Sequence, residues 1–305
     1  MIVSALFVAT AIFADFLASD LPIVSKTAGK IWLFPNVTQP SALTSMSPSE
    51  RASQTDWQLP ALVAHGPWVG DANPEARLRG PFALPGHPFG TDRAGRDVFA
   101  RLVHGARNYI VFALAAVAAS LLLGGLLGGL AGIFGGITDA VVSRTIETIS
   151  AFPVLVLVLG VQAAVARASI TTLFFAIALT RWPQIATMVR SEVIRIETRD
   201  YVMAARALGA SPWRVLRRHV APNIRGQLAA LGAFGIPAVV LIEASLDFLG
   251  FGVSAPSWGE TMSEFRHATH AWWLLAFPGL LLFIMVVAMN IVGEARRARL
   301  DPRGS

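Results

Sequence analysis

The chain has 305 residues, 54% of them hydrophobic and 14% charged, with a formal net charge of +6 and a mean hydropathy of +0.57. Soluble domains carry roughly a quarter charged residues, so this is the composition of an integral membrane protein, and its arginines fall between apolar stretches rather than on a nucleic-acid-binding domain. There is no cysteine, which excludes disulfides, a thiolate nucleophile and a cysteine metal site.

No G-x-x-x-x-G-K-[ST] run occurs. The nearest stretch, Ala28-Gly29-Lys30-Ile31, lacks the first glycine and the hydroxyl residue, so the chain brings no phosphate-binding loop of its own.

A hydrocarbon core of about 30 Å takes roughly 20 apolar residues of helix. Six stretches qualify as spans: 2–18, 109–134, 148–166, 169–189, 227–251 and 272–292. The first is short and contains Asp15; it lacks a basic leader and a small-residue cleavage site, so it reads as a span rather than a signal peptide. Segment 19–108 is rich in Pro, Ser, Thr and Gly and is expected to be an irregular, surface-exposed insertion. Within it Thr91 or Asp92 is expected to cap a helix with an apolar stripe of Val98, Phe99, Leu102 and Val103, and an Asp97–Arg101 pair four residues apart. That helix is expected to lie along the outer interface.

The second span carries Gly124, Gly128 and Gly132, four apart on one helical face. Such a face lets another helix backbone approach closely, either within this chain or in a neighbouring subunit. Trp258, Trp272 and Trp273 are expected at the headgroup level. Glu243 lies inside the fifth span, where a carboxylate either lines a path or braces a neighbouring helix. Glu264, His267 and His270 have a spacing that one helical face could offer to a metal, but no further ligand stands near, and a polar interfacial helix accounts for them. No span contains a histidine, which leaves an intramembrane hydrolase without a base.

Between spans four and five runs YVMAARALGASPWRVLRRHVAPNI, residues 201–224, part of an arginine-rich loop. Arginine is also dense in the tail, at 296, 297, 299 and 303. The positive-inside bias puts both regions in the cytoplasm, and with six spans it puts both termini there and 19–108 outside. Gly209 stands where a helix C-terminus turns left-handed. Ser211 offers an N-cap oxygen, Pro212 suits the first helical position, and a second helix is expected to end before Pro222, with Trp213, Leu216 and Val220 on one face. A DNA-binding helix-turn-helix has no globular support here. The choice is between a solvated orienting loop and a docking element for a cytoplasmic partner, whose groove could close tightly on Ala204, Ala205 and Gly209.

The spacing Ala204-Ala205-x-x-x-Gly209, with Pro222 thirteen further on, resembles the signature loop of permease subunits of ATP-binding-cassette (ABC) importers. HPFGTDRAGRDVFARLVHGAR (87–107), EASLDFLGFGVSAPSWGETM (243–262) and WWLLAFPGLLLFIMVVAMNIVGEARRARLDPR (272–303) resemble, in order, segments of the dipeptide/oligopeptide C-type permeases. The stretch 13–37 is similar to the subgroup associated with microcin C and longer peptides, which has an enlarged outer loop. This chain departs at Met203, where the family has glutamate, at His219 and Ala221, at Asp247, which replaces a serine, and at Arg181.

The resemblance implies an all-α membrane protein with the six-span fold of a type I ABC importer permease and a long extracytoplasmic loop. Its parts would be a first span (1–18), the loop and interfacial helix (19–108), a five-span core (109–293) containing the docking loop 190–225, and a cytoplasmic tail (294–305). The docking residues would be Ala204, Ala205, Gly209, Ser211, Pro212 and Pro222. The partners would be a homologous B-type permease subunit, two cytoplasmic ABC ATPase subunits and an extracytoplasmic substrate-binding protein, in the lipid bilayer of a bacterial plasma (inner) membrane, with no nucleic acid. ATP hydrolysis would belong to the partners, so no catalytic residue, cofactor or metal is expected in this chain. Peptides are the implied cargo. Relatives that import nickel or another small solute, and a self-sufficient secondary carrier, are the alternatives.

Overall fold

The computed structural model describes residues 2–71, 73–165, 169–253 and 256–300, with backbone only for 2 and 296–300. The tail arginine at 303 and residue 166 of the third expected span lie outside the described residues. The described residues form two compact units, 111–242 with 286–300, and 2–110 with 243–285.

The second of these begins with α1 (Ile2–Ile12) and α2 (Ala14–Leu17). Strands β1 (Val24–Thr27) and β2 (Lys30–Leu33) form a hairpin, followed by short helices α3 (Pro35–Thr38), α4 (Ser41–Thr44) and α5 (Pro48–Ser53), then strand β3 (Thr55–Leu59). The strands make an antiparallel sheet of order β2-β1-β3. The expectation of an irregular insertion in 19–108 is therefore corrected: the segment holds a sheet, and Ala18 and Val63 pack with Ala100 in a small core.

Helix α6 runs unbroken over Val98–Phe134, so the expected interfacial helix is its first turns rather than a separate element. Its cap is Asp97, whose Oδ1 accepts the Ala100 N–H at 2.7 Å, not Thr91 or Asp92. The anticipated Asp97–Arg101 side-chain pair does not form. Arg101 instead meets Glu260 at 2.9 Å and Asp92 at 3.5 Å, because the turn 91–97 folds Asp92 back over the helix start, its Oδ1 taking the Ala94 and Arg96 N–H groups. Asp15 pairs with Arg107 at 2.8 Å, which accounts for a carboxylate beside an apolar helix.

Gly135 (φ 62°) and Gly136 (φ 53°) reverse the chain with backbone angles that other residues adopt only under strain. Then follow α7 (Gly136–Ser150) and α8 (Val154–Ala164), bent by 91° where Pro153 interrupts the ladder. Helix α9 (Ile170–Glu197) starts on a capping box between Ser169 and Thr172. After it come α10 (Asp200–Ala207), α11 (Pro212–Val215) and a π turn over Leu216–Val220 that leads into α12 (Ala221–Leu249). Helices α13 (Trp258–Glu264) and α14 (Trp273–Leu300) complete the chain.

Among the described residues, three helical stretches are long and apolar enough to cross a bilayer: Val98–Phe134, Pro212–Leu249 and Trp273–Ala295. The bent α7–α8 pair makes a fourth if it counts as one span. Helix α1, with 11 residues, rises only about 16 Å, and α9 is made less apolar by Arg181, Gln184 and Arg190.

The tryptophan expectation is also corrected in part. Trp258 is fully buried, donating its indole N–H to the Leu102 carbonyl at 2.7 Å, and Trp273 is buried with its N–H on the Thr91 carbonyl; Trp272 is exposed. Their partners lie more than 150 residues away in the chain, so no local pattern reveals them.

Candidate docking site

The arginine-rich segment after α9 folds through local chemistry. The Ala210 N–H donates to the Ala205 carbonyl at 3.0 Å and the Gly209 N–H to the Arg206 carbonyl at 2.9 Å, with Gly209 at φ 86°. This pair of bonds closes the last carbonyls of α10 and needs a left-handed residue between them. Two residues on, the Ser211 hydroxyl accepts the Arg214 N–H and Pro212 takes the first helical position of α11.

The second helix does not stop before Pro222. Pro222 lacks the N–H that would bond the carbonyl four residues back, and its ring would crowd that carbonyl. The π turn just ahead, in which the Ala221 N–H reaches back five residues to Leu216, opens the ladder and lets the helix continue into α12. Residues 212–249 are therefore one continuous helical run.

Each turn buries a branched aliphatic residue. Val202, Val215 and Val220 join Ile133, Ile185, Val189, Val193 and Ile196 in one core cluster, so the segment is seated on α6 and α9. Trp213 is not part of that buried face. It is exposed together with Tyr201, Met203 and Leu208, and Leu208 is 89% exposed. Ala204 and Gly209 are exposed between them, and a side-chain carbon built on Gly209 meets nothing within 4 Å. Arg214, Arg217 and Arg218 of the same segment are also exposed, and Arg206 is held by Glu197. Leu208, directly before the capping glycine, is the residue that reading the sequence missed. Its signal was a large apolar side chain at a helix end with no partner in register.

Below this surface, Gly124, Gly128 and Gly132 of α6 face α9. A side-chain carbon at each would come within 2.6 Å of Ile185, 2.4 Å of the Ala186 carbonyl and 2.6 Å of Val193. Arg190 of α9 holds Asp139 of α7 with a two-pronged hydrogen bond. Glu243, fully buried in α12, belongs to the other unit, as does a cavity of about 520 Å³ lined by Val63, Phe82, His87, Phe89 and Phe99.

Glu264 does not join His267 and His270. It accepts the Arg93 N–H at 3.0 Å and pairs with Arg96 at 3.1 Å, while both histidines are exposed. Its burial, followed by the nearby Asp92, raises the Glu264 pKa above the ordinary carboxylate value. No group of three His, Asp or Glu able to hold a metal occurs among the described residues.

Residues 124–304 match the family described as binding-protein-dependent transport system inner membrane component. A putative peptide transport system permease protein of Brucella suis biovar 1 is 34% identical over 251 residues, 80% of this chain and 83% of the relative. The oligopeptide transport system permease protein OppC of Bacillus subtilis is 36% identical, over 71% and 72% of the two chains. The probable D,D-dipeptide transport system permease protein DdpC of Escherichia coli is 33% identical, over 79% and 83%. An inward-facing structure of the methionine ABC transporter MetNI superposes with a TM-score of 0.53 at 18% identity, over 66% of this chain and 96% of that one. An amino acid ABC transporter gives 0.52 at 17% identity, over 66% and 94%.

Proposed function

Because the chain belongs to the binding-protein-dependent transport system inner membrane components, we propose that it is the permease subunit through which an ABC importer carries peptides, and that residues 200–225 are the surface on which a cytoplasmic ATPase subunit docks. The peptide assignment is supported by the relatives, named as peptide, oligopeptide and D,D-dipeptide permeases. The observation that carries the docking assignment is a set of large exposed apolar side chains, Tyr201, Met203, Leu208 and Trp213, on a segment whose Val202, Val215 and Val220 are buried in one cluster with valines and isoleucines of α6 and α9. Exposed apolar patches on a soluble face mark interaction sites.

In this reading both termini and segment 200–225 are cytoplasmic, and 19–108 lies outside. The chain pairs with a homologous B-type permease, two ATPase subunits and a substrate-binding protein, and holds no nucleotide itself. ATP-driven motion of the docked subunit passes into α12, because α11, the π turn and α12 are one helical run. Glu243 belongs to the translocation path. Rigid-body switching of this kind converts partner motion into alternating access.

The test is reconstitution. Vesicles holding the complete transporter should take up peptide only with ATP and binding protein, and vesicles holding this chain alone should take up none. Uptake by the chain alone would make it a secondary carrier instead.

A further inference from the structure

The sheet β2-β1-β3 is turned inside out with respect to polarity. Val24 pairs with Leu33 on one side and Leu59 on the other, and Lys26 pairs with Ile31 and Trp57. Directly opposed residues share a face, and a strand alternates faces at every residue, so Val24, Lys26, Ile31, Leu33, Trp57 and Leu59 share one face. That face points outward: Ile31 is 58% exposed, Leu33 65%, Trp57 49% and Leu59 55%.

The other face holds, on the central strand, Ser25 and Thr27, both buried, and on the edge strands Trp32 and Thr55, half-buried, and Lys30 and Gln58, exposed. The Thr27 hydroxyl lies 3.2 Å from that of Ser25 and 3.0 Å from that of Thr55. A half-exposed antiparallel sheet in water does the reverse, turning its polar face out. The outward apolar face is built for an apolar surrounding.

The molecule also shows what that surrounding is. Phe34, immediately after β2, meets Phe16 edge-on with ring centroids 6.0 Å apart, and Phe16 meets Phe13 in the same way at 6.0 Å. Phe13 and Ile12 are exposed at the end of α1. That helix, IVSALFVATAI, has no charged residue and exposes Leu6 and Ile12. An apolar helix of a membrane protein with such a surface faces acyl chains. The sheet face is thus the continuation, through three phenylalanines, of a lipid-facing surface.

The polar groups nearby fit the boundary of a bilayer. Lys26, directly opposite Trp57 on that face, reaches Asp56 at 2.7 Å. Cations on apolar stems beside tryptophan are the chemistry of the headgroup layer.

We infer that the outward face of the sheet β2-β1-β3 lies on the membrane, with Ile31, Leu33, Trp57 and Leu59 immersed at the headgroup–acyl boundary of the lipid. It anchors the segment after α1 against the bilayer. The inference requires only that the protein is embedded in a membrane; it is independent of the peptide assignment and of which side the sheet is on.

The chain lacks cysteine, so the variants Ile31→Cys, Leu33→Cys and Leu59→Cys can be labelled singly with a polarity-sensitive fluorophore. Gly29→Cys, in the hairpin turn, serves as the aqueous control. The assembled transporter is placed in phosphatidylcholine–phosphatidylglycerol vesicles with and without doxyl-labelled lipid, and iodide is the aqueous quencher. The expected result is loss of fluorescence to doxyl lipid and protection from iodide at 31, 33 and 59, with the opposite at 29. Quenching by iodide at 31, 33 and 59 would overturn the inference, because the face would then be bare in water. Protection from both quenchers would overturn it as well, because a protein partner would then cover the face.

Discussion

Tyr109 donates its hydroxyl proton to Asp247 Oδ2 at 2.8 Å, and the phenol oxygen accepts the Gly259 N–H at 3.1 Å. One buried phenol thereby joins the start of α6 to the end of α12 and the start of α13, at the position where this chain carries aspartate instead of the family's serine. A phenol is the right length to reach a carboxylate there, and both groups are buried. Tyr109→Phe keeps the ring, removes one of the donors to the buried carboxylate, the other being Ser257, and leaves a buried N–H unpaired. The cost should be on the order of 2–3 kcal/mol, read as a lower unfolding midpoint of the purified protein. Asp247→Asn with Tyr109 in place, which still accepts from the phenol, should cost much less. An unchanged midpoint in Tyr109→Phe would show that water satisfies both groups.

The glycines of α6 allow a second, internally controlled comparison. Gly128→Ala puts a carbon 2.4 Å from the Ala186 carbonyl, so α6 and α9 must separate. Overpacking of this kind costs about 1–3 kcal/mol. At Gly125 nothing lies within 4 Å, so Gly125→Ala should be neutral or stabilise by up to about 1 kcal/mol through helix propensity. Equal effects at the two positions in thermal unfolding would contradict close backbone packing as the role of Gly128.

Much of the core was legible in the sequence because it is local or periodic. Long apolar stretches announce helices, and the Gly209–Ser211–Pro212 turn is written in three adjacent residues. What was not legible depends on distant partners. The strands are four or five residues long, and their alternation says which side chains share a face without saying which face is buried. Here the residues buried at the centre of the sheet are the polar Ser25 and Thr27. Trp258 looked interfacial because its acceptor at Leu102 is remote in the chain. Pro222 looked like a terminus because a π turn cannot be read from residue types.

At the docking surface, Leu208→Asp should leave folding intact, because the side chain is almost fully exposed. It places a charge in the apolar surface, so co-purification of the ATPase subunits should fall sharply. Gly209→Trp adds bulk at the same place and a strained left-handed backbone, at a cost of about 1–2 kcal/mol. Gly209→Asn, which tolerates that conformation, should retain docking better. Normal ATPase association and transport in both Leu208→Asp and Gly209→Trp would remove 200–225 from the interface.

Acid should loosen the segment ahead of α6. The rings of His65 and His87 stack at 4.1 Å, and His87 Nδ1 lies 2.8 Å from Asp97 Oδ2. Burial, and then the facing His87, lower the His65 pKa below 6.5, against the opposing pull of Asp97, Asp20 and Asp71. The unfolded chain then binds its proton at a higher pH than the folded one. Stability from His65 is complete above the unfolded value and is lost as pH falls from about 6.5 towards the folded value. Asp97, raised by burial, acts with the opposite sign, its contribution being lost as pH rises from its ordinary value towards the folded one. Hydrogen exchange in 62–90 should therefore quicken between about pH 7.5 and about pH 5.5, relative to the intrinsic rate. His65→Phe, which keeps a stacked ring, should flatten that dependence. A slope unchanged in His65→Phe would assign the effect to another group.

The orientation can be decided on the same cysteine-free background. Ser53, in α5, and Ser211, at the cap of α11, are both exposed, so a cysteine at either is reachable by a charged maleimide on its own side. Arginine density around 190–225 favours the cytoplasm for Ser211. Segment 19–108 is long enough to escape that bias, so its side follows from the number of crossings before it. In intact cells Ser53→Cys should label and Ser211→Cys should not; after permeabilisation both should. The reverse pattern would place the apolar surface of Leu208 and Trp213 outside, where no ATPase can reach it, and would refute the orientation and the docking surface together.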